Sequence, residues 1–265
     1  MAKKIVITGA SGNLGRRLRA GLQPRTDLEL VLLDRDPRGE PDVVAADLSC
    51  YDKIWAQRFN GAEAVVHLAA NPSPQVPWDE LECDNVDAVL NVFEAAVAGG
   101  VARVVFASTI NVMQGHSVSD VTITTELPPK PMTAYAFSKL AGERIGKSFS
   151  SRHRLSVVCI RIGAIPPNEN LPTPAWPVWH QITWLSERDF CQGLEKAIEA
   201  EAVHFSVLNL VSDNAGSPID LSESSRVIGY RAQDGWTPPP LTFTVAMRNT
   251  IVRKKPGLAR WLRRQ

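Results

Sequence analysis

Lys4-Ile5-Val6-Ile7-Thr8 is a β-branched run that passes without a break into Gly9-Ala10-Ser11-Gly12-Asn13-Leu14-Gly15, and a helical pattern follows through Leu18 to Leu22. This junction constrains the fold more than any other stretch. Strand, glycine turn and helix in immediate succession make a βα unit, the setting in which glycines spaced G-x-x-G-x-x-G have meaning. They permit a tight turn, close backbone approach to a pyrophosphate, and close packing of helix on strand. Unpaired N–H groups and the dipole favour anions at a helix N-terminus. Gly9, Ser11, Gly12, Asn13, Leu14 and Gly15 are therefore candidate dinucleotide ligands. The competing reading, an ordinary glycine-rich turn, sits poorly with the flanking strand and helix.

Leu28-Glu29-Leu30-Val31-Leu32-Leu33-Asp34 is a second buried-strand pattern, ending on a carboxylate. It lies about 20 residues past the glycines, where an acid accepts hydrogen bonds from the adenosine ribose and repels a 2′-phosphate. Asp34 thus points to NAD. The adjacent Arg35 supports the opposite choice, since a guanidinium could hold that phosphate. Val43 to Leu48 reads as a third strand, whose Asp47 and Leu48 either face the adenine or, for Asp47, cap the following helix. Ala64-Val65-Val66-His67-Leu68-Ala69-Ala70 reads as a fourth. Its end, Leu68 to Ala70, is assigned to the cofactor, and His67 is expected to be a satisfied core histidine. The prolines of Asn71-Pro72-Ser73-Pro74 force a rigid loop away from the sheet, and Asn71 and Ser73 are substrate candidates.

A helix over 80–98 is expected to bury Leu81, Val89, Leu90, Phe93 and Val97 and to stop at Gly99-Gly100. Arg103 to Thr109 is the fifth strand and Leu155 to Ile162 the sixth, with Ile162 against the cofactor. Strands alternating with helices imply a parallel sheet covered on both faces: a Rossmann-like, doubly wound α/β domain over residues 1–163. After Gly163 the texture changes. Residues 164–186 hold five prolines and the tryptophans 176, 179 and 184. This suits a substrate-covering loop, or equally a connector whose aromatics seal the core edge. Residues 164–265 are accordingly expected to form a small C-terminal substrate lobe, with a helix near 186–200, a strand at 205–211, and a basic tail. From Trp236 that tail carries seven Lys or Arg and no acidic residue.

Ala134-Tyr135-Ala136-Phe137-Ser138-Lys139 lies in a further helical pattern over 132–149, with Ala136, Leu140, Ile145 and Phe149 at helical spacing. One turn apart, Tyr135 and Lys139 project from one face. A phenol with a pKa of about 10 is a poor base at neutral pH, and a nearby ammonium stabilises its phenolate. The pair suits proton transfer at a substrate hydroxyl. On its own it is equally a surface helix with an incidental Tyr and Lys.

The formal charge of +1 argues against a nucleic-acid partner. The four cysteines (50, 83, 159 and 191) are widely spaced and read as reduced thiols, with no metal site expected. No apolar run approaches a membrane span and no signal-peptide core is visible. A cytoplasmic protein follows as the expectation.

With Gly9, Gly12, Gly15, Asp34, Ser108-Thr109 and Tyr135/Lys139 in this order, the sequence resembles the extended short-chain dehydrogenase/reductase family over roughly residues 1–165. That resemblance implies Thr109 holding the substrate oxygen, Tyr135 as acid/base, and Lys139 lowering the tyrosine pKa and binding the nicotinamide ribose. It also implies a homodimer through the helices at 80–98 and 132–150. Family dehydratases carry Asp-Glu after the strand-five Thr, whereas here Ile110-Asn111 follows. An NAD-dependent dehydrogenase of a sugar or secondary alcohol is the leading expectation. A sugar epimerase and a non-catalytic dinucleotide-binding regulator are the alternatives. Arg161-Ile162-Gly163, Thr183-Trp184-Leu185-Ser186, Asp189-Phe190 and 209–214 look more loosely like uronate dehydrogenases. Those carry an Arg before the Thr-Trp pair to grip the substrate carboxylate. Here no Lys or Arg occurs between Arg161 and Arg188. His180, Trp184 and Asn111 are the substrate candidates in this half, and a neutral sugar or alcohol is expected.

Overall fold

The computed structural model describes residues 2–73, 76–117, 121–167, 171–173 and 176–237. The basic tail and Pro74, Pro174 and Ala175 lie outside them. Seven parallel strands form one sheet in the order β3-β2-β1-β4-β5-β6-β7. The first βα unit pairs β1 (Lys3–Thr8) with α1 (Asn13–Leu22), and β2 (Leu28–Asp34) and β3 (Val43–Ala45) continue to one edge. The chain then crosses back through the short α2 (Lys53–Ala56) to β4 (Ala64–His67), on the other side of β1. The strand order reverses between β1 and β4, the switch point where open α/β sheets bind ligands beyond their carboxyl ends.

Residues 78–98 form a helical stretch in three parts: α3 (Trp78–Glu82), a π-helical turn (Cys83–Asp87) and α4 (Ala88–Ala98). Along α4 the buried stripe runs through Val89, Val92, Phe93 and Ala96. Leu81, Val89 and Phe93 stay buried while Leu90, expected inside, is exposed. Next come β5 (Arg103–Thr109), a 3₁₀ segment (Ile110–His116), and α5 (Ala134–Arg152), started by Thr133 accepting from the Ala136 N–H. β6 (Ser156–Ile162) follows. Beyond residue 163 the chain returns to the same sheet: after α6 (Val178–Ile182) and α7 (Glu187–Glu199), β7 (Phe205–Leu210) pairs with β6 along its length, and α8 (Ser222–Ile228) closes the described chain.

Alternation along the strands builds two cores. Ile5, Ile7, Val105, Val158 and Ile160 pack with Leu18, Phe190 and Leu194 on one face. Val6, Val65, Val104, Phe106 and Val157 pack with Phe59, Val92 and Phe93 on the other. Cores covered on both faces explain the near-continuous apolar runs of the strands. Among the described residues, no helix is long and apolar enough to cross a membrane.

Candidate active site

The carboxyl ends of the central strands open into a cavity of about 730 Å³ that runs from the glycine turn to Tyr135 and Gly163. Its floor requires glycine twice. Gly9 has φ +70°, and a Cβ there would lie 2.6 Å from the Ala69 nitrogen; at Gly15 a Cβ would lie 2.1 Å from the Gly9 carbonyl oxygen. α1 begins at Gly12 with no side-chain cap. Its first N–H groups are thus left for an anion, and Gly12, Asn13, Leu14 and Gly15 all line the cavity. Ser11 is the exception in that turn. It is buried below, and its N–H donates to Asp34 Oδ2 at 2.9 Å, while Asp34 Oδ1 accepts from the Asp36 N–H at 3.1 Å. Both oxygens of Asp34 are anchored, each with a lone pair left for a ribose hydroxyl. These donors, this close approach and this acceptor fit NAD.

Arg35 lines the same end, with its guanidinium 2.7 Å from Asp84 on the π turn. Asp47 and Leu48 line it too. The Asp47 carboxylate accepts from the N–H and hydroxyl of Ser49, and the cap of α2 is Asp52 instead. Leu68, Ala69, Ala70 and Ile162 complete the expected lining; Arg38, Pro72, Asp84 and Pro167 join it without having been anticipated. Asn71 and Ser73 line neither this cavity nor the next. Asn71 Nδ2 donates to Asp84 Oδ2, and its Oδ1 accepts from the Ser73 N–H, so the turn is held to the π segment.

Tyr135, Lys139 and Thr109 come together at the far end of the cavity. Lys139 is 2% exposed, with Nζ 5.1 Å from the Phe106 ring centroid. Burial pushes its pKa down to about 7 and pushes that of Tyr135 up to about 12. The expected lowering of the phenol by its lysine is therefore not built into the protein alone: loss of water disfavours both charged forms. Below the site, Glu143 accepts from Ser108 Oγ at 2.6 Å and from Arg161 Nε and Nη2 at 2.9 Å each. This buried pair ties α5 to β5 and β6 beside Thr109. Removing one partner of such a pair costs about 3–5 kcal/mol. The spacing of the three residues in sequence carries no sign of it. His67 is fully buried, with Nδ1 2.7 Å from Thr8 Oγ1 but Nε2 unpartnered, so it is only half satisfied. Burial, then the nearby Lys139, lowers its pKa to about 3 and keeps it neutral.

A second cavity of about 460 Å³ adjoins the first and shares Thr109, Ile162, Gly163, Ile165 and Pro167 with it. Asn111, Trp176 and His180 line it; burial lowers the His180 pKa and leaves the imidazole neutral. No described Lys or Arg lines this cavity. Trp184, expected here, is buried and bridges through its backbone to Ala164 on the cavity wall, but does not itself line the cavity. Trp179 is buried as well, leaving Trp176 as the tryptophan that faces it. Among the described residues, no group of three or more His, Cys, Asp or Glu could hold a metal.

A seven-stranded doubly wound sheet, a glycine-floored dinucleotide cavity and a Thr/Tyr/Lys group at its end define a Rossmann-type oxidoreductase that uses NAD. The chain matches the model of the NAD dependent epimerase/dehydratase family over residues 5–165, and it belongs to that family. It is 34% identical to an L-arabinose 1-dehydrogenase (NAD(P)(+)) of Haloferax volcanii, across 87% of this chain and 96% of that one. It is 31% identical to an NAD-dependent glucose-6-phosphate dehydrogenase of the same organism, across 88% and 94%. Among solved structures, a mutated uronate dehydrogenase superposes with a TM-score of 0.76 at 27% identity, covering 97% of this chain and 88% of that one.

Proposed function

We propose that this protein is a cytoplasmic, homodimeric dehydrogenase that oxidises a hydroxyl of a neutral sugar. The observation that carries the reading is the cavity beside Thr109, which is lined by Trp176, His180 and Asn111 and by no described cation. A carboxylate moved there would lose its hydration without a charged partner. The flat face of Trp176 suits the C–H face of a sugar ring. Arg161 is taken up by Glu143, and Arg188 by Asp234 at the surface, so neither is free to serve. Similarity to an L-arabinose 1-dehydrogenase supports an aldose.

In this reading residues up to 163 carry most of the cofactor cavity and the Thr109, Tyr135 and Lys139 group, while later residues, Trp176 and His180 among them, cover the substrate. Thr109 orients the substrate hydroxyl. Tyr135 removes its proton, and Lys139 supplies positive charge to the phenolate and holds a ribose hydroxyl. When bound, NAD supplies the hydride acceptor and a positively charged ring. Positive charge beside a phenol lowers its pKa, so a bound cofactor would favour the phenolate that serves as base. The exposed, mutually packed Trp78 and Phe137, on α3 and α5, support pairing of two copies through this face. The test compares kcat/KM for L-arabinose and D-glucose with glucuronate and galacturonate, all with NAD and with NADH accumulation as readout. Neutral aldoses should win. Uronates better by more than tenfold, about 1.4 kcal/mol in transition-state binding, would overturn the reading.

A further inference from the structure

Asn111 stands two residues after Thr109 on the wall of the substrate cavity, and its amide is not free to turn. The indole Nε1 of Trp179 lies 2.9 Å from Asn111 Oδ1. An indole N–H only donates, so the atom facing it must be the amide oxygen. The Asn111 NH₂ group is thereby left for the cavity. The backbone N–H of Asn111 donates in turn to Thr109 Oγ1 at 3.3 Å, occupying an acceptor site of that hydroxyl and leaving its O–H to donate. Trp179 itself is firmly held. It sits in α6, its carbonyl accepts from the Thr183 hydroxyl at 2.7 Å, and its ring packs among Ile110, Val112, Met113 and Leu140.

We propose that Trp179 is a positioning residue that sets substrate recognition through Asn111, fixing the amide so that the cavity presents donors from Asn111 Nδ2 and Thr109 to an acceptor oxygen next to the reacting carbon. The proposal rests on the sugar-dehydrogenase reading and gives the substrate class in more detail: a polyol or aldose with an oxygen acceptor beside the oxidised hydroxyl. Without the indole N–H, the amide can flip and offer its oxygen, which repels that acceptor.

Trp179→Phe keeps a buried ring and removes the N–H. With L-arabinose and saturating NAD, its KM should rise about five- to tenfold, consistent with loss of a hydrogen bond worth ~1 kcal/mol. Its kcat should stay within about twofold, and NAD affinity should be unchanged. Asn111→Leu should raise KM similarly, and the double variant should be no worse than Asn111→Leu alone, because the two act as a unit. Asn111→Asp, which still accepts from the indole but has no donor left, should raise KM without disturbing Trp179. Unchanged KM in Asn111→Asp, or fully additive effects in the double variant, would overturn the proposal even if Trp179→Phe folds poorly. If glucuronate proves the better wild-type substrate, the functional reading fails, and the same variants measured on glucuronate still decide this one.

Discussion

The two cavities that meet at Thr109 are built by different means. The cofactor cavity is formed by strand ends and a glycine turn, and its contacts are largely backbone: open N–H groups of α1, the close pass of Gly9 beneath Ala69, and an Asp34 carboxylate anchored by two main-chain donors. The cavity proposed for the substrate is held by side chains reaching across the fold. Arg17 of α1 donates to the Pro166 carbonyl at 2.9 Å and the Pro167 carbonyl at 3.3 Å, and pairs with Glu187 at 2.6 Å. Trp179 holds Asn111. Prolines have no N–H of their own to fix such a loop, so its carbonyls must be gripped from outside. A backbone-built site tolerates little change in its motif. A side-chain-built site can be retuned one residue at a time.

The largest test of this contrast lies where the cavities join. Tyr135→Phe keeps the ring and loses the proton-transfer group, so kcat should fall by about 10²–10⁴ while NAD binding, followed by fluorescence, persists. Retention of more than about a tenth of kcat would remove Tyr135 from the role of base.

Lys139→Met should also abolish most turnover and weaken NAD binding, yet raise the melting temperature of the cofactor-free protein. Burial lowers the Lys139 pKa from its usual 10.5 to about 7. Between those values the unfolded chain holds a proton that the folded one lacks, so stability rises with pH across that window. The burden is full at and below pH 7. Met should therefore gain about 2–4 °C or more near pH 7, and the gain should shrink towards pH 10. A gain that does not vary with pH would show that the burial of charge is not its cause.

Asp34→Ala probes the backbone-built side. NAD should bind more tightly than NADP to the wild type, and the variant should narrow that gap by about tenfold through loss of ribose hydrogen bonds and of charge repulsion. Comparable affinities in the wild type would instead place Arg35 or Arg38 on the 2′-phosphate.

The smallest effect belongs to the shared wall. Arg17→Met should raise KM for both NAD and sugar by roughly three- to fivefold, as expected from hydrogen bonds worth ~1 kcal/mol, and leave kcat nearly intact. A change confined to thermal stability would mean that the wall holds its place without Arg17.

The βα unit, Asp34 at the end of β2, Thr109 at the end of β5 and the Tyr135/Lys139 turn of α5 were all legible in the sequence, because each follows from local periodicity and spacing. The edges of most strands follow from the same apolar runs. What no local rule could decide was set by contacts between residues far apart in the chain. Leu90 lies off the buried Val89, Val92, Phe93 and Ala96 stripe of α4 and is exposed, because packing against the sheet decides which stripe faces inward. The chain beyond 163 rejoins the sheet because β7 finds the open edge of β6. Of three tryptophans with the same composition signal, one faces the substrate cavity, one braces Asn111 and one is buried beside Ala164. The phenol and ammonium one turn apart were visible, but their opposed pKa shifts depend on how much water the assembled sheet and helices exclude. Desolvation is a property of three-dimensional burial, and spacing along a chain does not encode it.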